Sequence, residues 1–170
     1  MIESKTTSAA DQVAILADLY SKRALAYDRL WSPVIRPVGE RLLGRLPLSR
    51  AKNVIDVGTG TGALLPAIRS CAPRASLLGV DRSEGMLQLA SEKHDGPLRL
   101  MDVQELDLPD QSFDVAVVAF VLFHLPDPQR CLNEVFRVLK PAGWVGTATW
   151  ASEQPPAANA IWDEELRFGS

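Results

Sequence analysis

Three glycines on alternate positions, Gly58, Gly60 and Gly62, stand between a β-branched run and an apolar helix-like run in "NVIDVGTGTGALLPAI" (residues 53–68). Glycine permits positive φ and lets a ligand come up against bare backbone. A helix that starts there offers unpaired N–H groups to a polar or anionic ligand group. A tight turn would account for one such glycine, but poorly for three. The second landmark is Asp81, which closes "LLGVD". A carboxylate there presents two acceptor oxygens side by side, suited to both hydroxyls of a ribose. "DRSE" also has capping-box spacing, which would make Asp81 the N-cap of the next helix. The glycine loop one βαβ unit upstream favours the ribose. Which nucleotide is still open, because "GTGTGA" also satisfies the G-x-G-x-x-G/A pattern of NAD-binding units.

Elements must hold these residues at one place. Apolar residues at Val13, Leu16, Ala17, Tyr20, Ala24, Tyr27 and Trp31 follow steps of three and four, predicting one amphipathic helix over 13–31. Pro37 suits a first helical turn, predicting a second helix over about 37–46. Then short β-branched runs alternate with helical patterns. The strands are "NVIDVG", "ASLLGVD", "LRLMD", "FDVAVVAFVLF" and "WVGTATW"; helices are expected from Gly62, Ser83 and Asp127. The strands are near-continuously apolar, as strands covered on both faces should be. Regular alternation implies βαβ units and a doubly wound α/β fold on a mainly parallel sheet. In such sheets ligands bind outside the carboxyl ends of the strands, where strand order reverses. The glycine loop lies at such an end. After Trp150 the pattern breaks at "ASEQPPAANA", and "IWDEELRF" reads as the start of another helix. The expected division is therefore 1–50 helical, 51–150 core and 151–170 tail.

The 170 residues fit one domain, with 46% hydrophobic and 23% charged residues and a formal net charge of −3. No Lys/Arg run marks a nucleic-acid footprint. No apolar run approaches the ~20 residues of a membrane helix. "MIESKTTSAADQ" carries an acid and no apolar stretch, so no secretory leader is expected and a cytoplasmic location is. Cys71 and Cys131 lack CxxC spacing and lie in helix-like segments. They read as small buried hydrophobes, neither a disulfide nor a metal site. His94, in the polar "EKHDGP", reads as a surface residue.

Taken together, "VIDVGTGTG", "GVDRSEGML", "MDVQELDLPDQSFDVAVVAFVLFHLPDP" and "EVFRVLKPAGW" resemble class I S-adenosylmethionine-dependent methyltransferases. Within them the chain is most similar to the branch of ubiquinone/menaquinone-biosynthesis and small-molecule methyltransferases. Asp56, two residues before the first glycine, is characteristic of that group, and NAD folds usually lack it. "RVLKPAGW" matches the family's Arg-Val-Leu-Lys-Pro-Gly-Gly with Ala142 replacing the first of those glycines, and "YSKRALAYDRLW" looks like its Tyr-Asp element. The resemblance covers roughly residues 54–145. It implies that Gly58, Thr59, Gly60 and Gly62 border the methionine part of the cofactor, with Asp56 near the amino group. It implies Asp81 at the ribose, Arg82 and Met86 along the adenine, and Asp102 at the adenine amino group with Val103 beside it. Ala119 would offer its carbonyl to the methionine amine, and Tyr27 would cap the carboxylate. Plainer roles stand beside these: Asp102 as a strand-ending turn residue, and Met86 and Tyr27 as core.

Methyl transfer from a sulfonium is an in-line displacement, and the protein aligns the partners and excludes water. His124, after the fourth strand, is the candidate general base, with a helix cap or a substrate contact as alternatives. The acceptor is expected to be a small molecule; S-adenosylhomocysteine would be the product. The family has seven strands and this chain shows five. A piece of a longer protein is the favoured explanation; the other is a shortened member whose open edge a second copy or the tail covers. A catalytically silent binding module and, less favoured, an NAD(P)-linked oxidoreductase are the competing functions.

Overall fold

The computed structural model describes residues 9–150, with side chains from Ala14 onward. Two helices, α1 (Ala9–Lys22) and α2 (Ala24–Leu43), lead into β1 (Asn53–Val57) and α3 (Leu65–Cys71). β2 (Ser76–Asp81), α4 (Glu84–Ser91) and β3 (Leu98–Leu100) follow, then β4 (Phe113–Ala119), α5 (Pro128–Val138) and β5 (Leu139–Ala148). The five strands form one sheet in the order β3-β2-β1-β4-β5, and every pair is parallel. The chain builds outward from β1 to β3, then crosses back to put β4 on the other side of β1. The reversal point therefore lies between β1 and β4, where the glycine loop leaves β1. The expected doubly wound sheet is what forms.

Both faces of the central strands are covered, which is why they carry almost no polar residues. On one face Ile55, Val57, Val80 and Val118 pack with Cys131, Val135 and Val138 of α5. On the other, Val54, Leu77, Val115 and Val117 pack with Leu43 of α2, Leu65 and Ile68 of α3, and Ala90 of α4. The edges differ: Leu100 on β3 and Trp144 on β5 are exposed. Arg137 pins the long connection between β3 and β4 to α5. It donates to the carbonyls of Leu106 and Leu108 at 2.7 and 2.8 Å and pairs with Glu134 and Asp110.

Several boundaries fall elsewhere than the sequence predicts. The helical break is at Arg23 (φ −111°, ψ 13°), not between residues 31 and 37, and both Pro33 and Pro37 lie inside α2. The two prolines stand four apart, so the N–H that Pro37 lacks is one that would have bonded the carbonyl of Pro33. The apolar stripe runs on through residue 23, which hides the break. β4 ends at Ala119, and a 3₁₀ turn spans Leu122–His124. β5 starts five residues early because a bulge interrupts it: Phe113 pairs with Leu139, but Val115 pairs with Trp144. Ala142 lies in this bulge at φ +63°. Two side chains also need correction. Cys71, at the last turn of the short α3, is exposed, whereas Cys131 is buried as expected. His94 is buried, because its ring folds over Gly96 and reaches the Leu77 carbonyl at 3.3 Å. The helix expected near residues 161–168 and the rest of the tail lie outside the described residues.

Candidate functional site

The loop after β1 is folded by its glycines. All three take left-handed φ: +71° at Gly58, +54° at Gly60 and +76° at Gly62. Gly60 has open space where a Cβ would project, so it presents bare backbone to the cleft. Gly62 serves a different purpose: a Cβ there would lie 3.0 Å from Cα and Cβ of Ala90, so it seats the loop against α4. The amides of Gly58 and Thr59 both donate to the Val80 carbonyl, at 2.8 and 2.9 Å. That bond pair locks the loop to the end of β2.

Asp81 stands at that end. Its Oδ2 accepts the Gly60 amide and its Oδ1 accepts the Ser83 amide, both at 2.9 Å. Ser83, not Asp81, caps α4: its Oγ accepts the Met86 amide at 3.3 Å. Burial pushes the Asp81 carboxyl above its ordinary range despite these amides. Asp56 is more deeply enclosed. Its Oδ2 accepts the Thr59 hydroxyl at 2.7 Å, and burial raises its pKa to about 6.

Two connected chambers wrap around the loop. The first is lined by Tyr27, Gly58, Gly60, Asp81, Arg82, Met86, Val103 and His124, with Leu16, Ala17 and Tyr20 of α1 on its far side. The second holds Asp56, Thr59 and Ala119. Tyr27, Gly58, Gly60 and Phe120 face both. Every candidate residue read from the sequence therefore lines the cleft except Gly62 and Asp102. Asp102 forms the turn that its plainer reading expects, accepting the Gln104 amide on Oδ1 at 2.9 Å. Its Oδ2 lies 3.4 Å from Arg82 Nη2, and the other terminal nitrogen of Arg82, Nη1, is buried without a hydrogen-bond partner.

α1 closes the first chamber from above. The Tyr20 hydroxyl lies 3.2 Å from His124 Nε2, and Ser21 Oγ lies 2.8 Å from Ser83 Oγ. Burial lowers the His124 pKa to about 4 and raises that of Tyr20 to about 12, with Asp81 adding to the latter. The pair is therefore neutral across the physiological range. Sequence reasoning missed the contributions of Leu16, Ala17, Ser21 and Ser83, whose roles depend on how α1 crosses the cleft. It also missed Asp28, although the stretch "YDRLW" held it.

A family model described as a methyltransferase domain matches residues 55–146, more than half of the chain. The chain belongs to the methyltransferase-domain family. A demethylmenaquinone methyltransferase of Lactobacillus johnsonii is 28% identical over 163 residues, 89% of this chain and 67% of that protein. A malonyl-[acyl-carrier protein] O-methyltransferase of a Marinomonas species is 30% identical over 151 residues, 86% of this chain but 56% of its own length. The chain thus spans between about half and two thirds of these relatives. Among solved structures, an S-adenosylmethionine-dependent methyltransferase from Aquifex aeolicus superposes with a TM-score of 0.60 at 26% identity, covering 75% of each chain. Membership among the S-adenosylmethionine-dependent methyltransferases resolves the nucleotide that the glycine loop alone leaves open. The methyltransferase sheet order explains the position of the cleft at the β1/β4 reversal. No helix among the described residues is long and apolar enough to cross a membrane.

Proposed function

We propose that residues 51–150 bind S-adenosylmethionine and that the protein transfers a methyl group to a small-molecule acceptor, with residues 1–50 forming the lid and acceptor side. The carrying observation is the pair of chambers around Gly58–Gly60, with one enclosed carboxylate at each: Asp81 in the first and Asp56 in the second. The lining suits that cofactor chemically. Asp81 accepts from the ribose hydroxyls, while Asp56 and the Ala119 carbonyl face the ammonium group. Gly58, Thr59 and Gly60 border the methionine chain and Tyr27 its carboxylate. Met86 and Val103 flank the adenine, and the unpartnered Arg82 Nη1 supplies a donor beside it. Asp102, outside the lining but 3.4 Å from Arg82 Nη2, is the acceptor this reading assigns to the adenine amino group.

Bound there, the cofactor supplies an electrophilic methyl group on a sulfonium. The protein's work is to orient the acceptor, hold it in line and keep water out. His124 is neutral and, with a pKa near 4, a weak base. In this reading it orients the acceptor through a hydrogen bond, together with Tyr20, rather than storing a proton. The relatives' named acceptors differ, demethylmenaquinone for one and a carrier-bound malonyl group for the other. Leu16, Ala17, Tyr20 and neutral His124 on the α1 side support an acceptor whose reacting end is uncharged.

The test is calorimetric titration with S-adenosylmethionine and, separately, S-adenosylhomocysteine, alongside Asp81→Ala. Micromolar binding that the variant loses supports the reading. An intact chain that binds neither ligand overturns it.

A further inference from the structure

Asp28 lies outside the cleft lining, yet three separate parts of the chain converge on one of its oxygens. Its Oδ1 accepts the Thr61 hydroxyl at 2.6 Å, the Ser32 hydroxyl at 2.6 Å and the Lys93 ammonium at 2.5 Å. Lys93 Nζ also donates to the Thr61 carbonyl at 3.0 Å. The side chains of Asp28 and Lys93 are only 25% and 29% exposed, so water screens the pair weakly. Thr61, itself buried, is the crest of the glycine loop. The junction thus ties α2, the loop and the end of α4 together.

Two neighbours make this junction more than a staple. Gly60, one residue from Thr61, gives its amide to Asp81. Tyr27, one residue from Asp28, lines both chambers. A shift of Thr61 would move the bond that orients Asp81, and a shift of α2 at Asp28 would move the Tyr27 ring.

We propose that Asp28 is a positioning residue for cofactor capture, fixing the glycine loop and Tyr27 in the geometry that receives the ligand without touching it. The proposal rests on the cofactor reading given above. Breaking the junction loosens both chambers together. Asp28, Lys93 and Thr61 act as one unit, so their losses do not add.

The experiment titrates the full chain with S-adenosylhomocysteine by calorimetry and follows ligand release by stopped-flow tryptophan fluorescence. The variants are Asp28→Asn, Lys93→Met, their double, Thr61→Val and Thr61→Ser. Unliganded melting temperatures serve as the control for folding. We expect ~10-fold weaker binding and faster release for each single variant except Thr61→Ser, which keeps the hydroxyl and stays near wild type. The double variant binds no more weakly than either single one. A staple without a positioning role predicts a different pattern: lower melting temperatures with affinity and release rate unchanged. That result, in Asp28→Asn and in the sterically matched Thr61→Val, overturns the proposal while the cofactor reading stands. Absence of binding by the wild-type chain overturns both.

Discussion

The Gly60 amide and the Asp81 carboxylate, 21 positions apart in the sequence, meet at 2.9 Å. This bond makes the loop and the end of β2 a single rigid lip of the cleft. It also means that Asp81 has two duties, one to the backbone and one to the ligand. Asp81→Asn keeps an acceptor for the amide but loses the charge and one acceptor oxygen. We expect it to weaken S-adenosylhomocysteine binding ~10-fold, against 100-fold or more for Asp81→Ala, on the scale of one and two lost charge-assisted hydrogen bonds. Calorimetry on both variants checks the order.

Asp56 makes the unliganded protein sensitive to pH. Its folded pKa of about 6 lies above the ordinary value of 3.8, so the folded state holds the extra proton between those values. Stability therefore falls as pH rises from about 4 to 6, by roughly 2–3 kcal/mol in all, and stays lower above that range. Asp56→Asn removes this slope in urea melts. A cationic ligand group beside Asp56 favours its charged form, so cofactor affinity should rise over the same window with release of a proton. Titrations in buffers of different ionisation enthalpy measure that proton directly.

His124 contributes with the opposite sign. Its folded pKa of about 4 lies below the usual 6.5, so the unfolded state takes up a proton first as pH falls. Between about 6.5 and 4 this group alone removes about 3 kcal/mol of stability, and His124→Gln abolishes its share. Urea midpoints from pH 7 to 4.5 for both proteins test this. In an activity assay, the same burial predicts no inflection near pH 6.5 from this residue. An inflection there that His124→Gln removes would contradict its neutral, orienting role.

Ala142 sits at φ +63°, where its Cβ is crowded and glycine is not. This is the position at which the family pattern carries glycine. Ala142→Gly should raise stability by about 1 kcal/mol, the relief of strain outweighing the added freedom of the unfolded chain. A thermal melt showing no gain would mean that the bulge relaxes around the alanine.

Much of this architecture is legible in the sequence because it rests on local signals. Short apolar runs mark β1, β2 and β4, Ser83 and Asp127 cap their helices, and the glycine loop joins β1 to α3. What escapes is set by distant partners. Nothing local distinguishes Lys93 from a surface lysine. Only the fold brings it to Asp28, 65 positions away. His94 looks polar and external until the chain folds Gly96 beneath its ring. The break at Arg23 has no glycine, no capping side chain and no gap in the apolar stripe, so periodicity reads straight through it. β5 is misjudged at its start because the bulge is made of Lys140, Pro141, Ala142 and Gly143, which read locally as a turn before the apolar run at Trp144.

The aromatic wall beside the second chamber has an optical consequence. The ring of Phe120 lies 4.5 Å from that of Trp150, which lies 5.5 Å from Trp31 at 52°. Two indoles this close and this far from coplanar share their excited states, giving a paired signal of opposite signs in circular dichroism. Because Phe120 faces both chambers, a ligand that moves it changes the geometry of that pair. The protein therefore carries a label-free chromophore whose spectrum can report when the cleft fills.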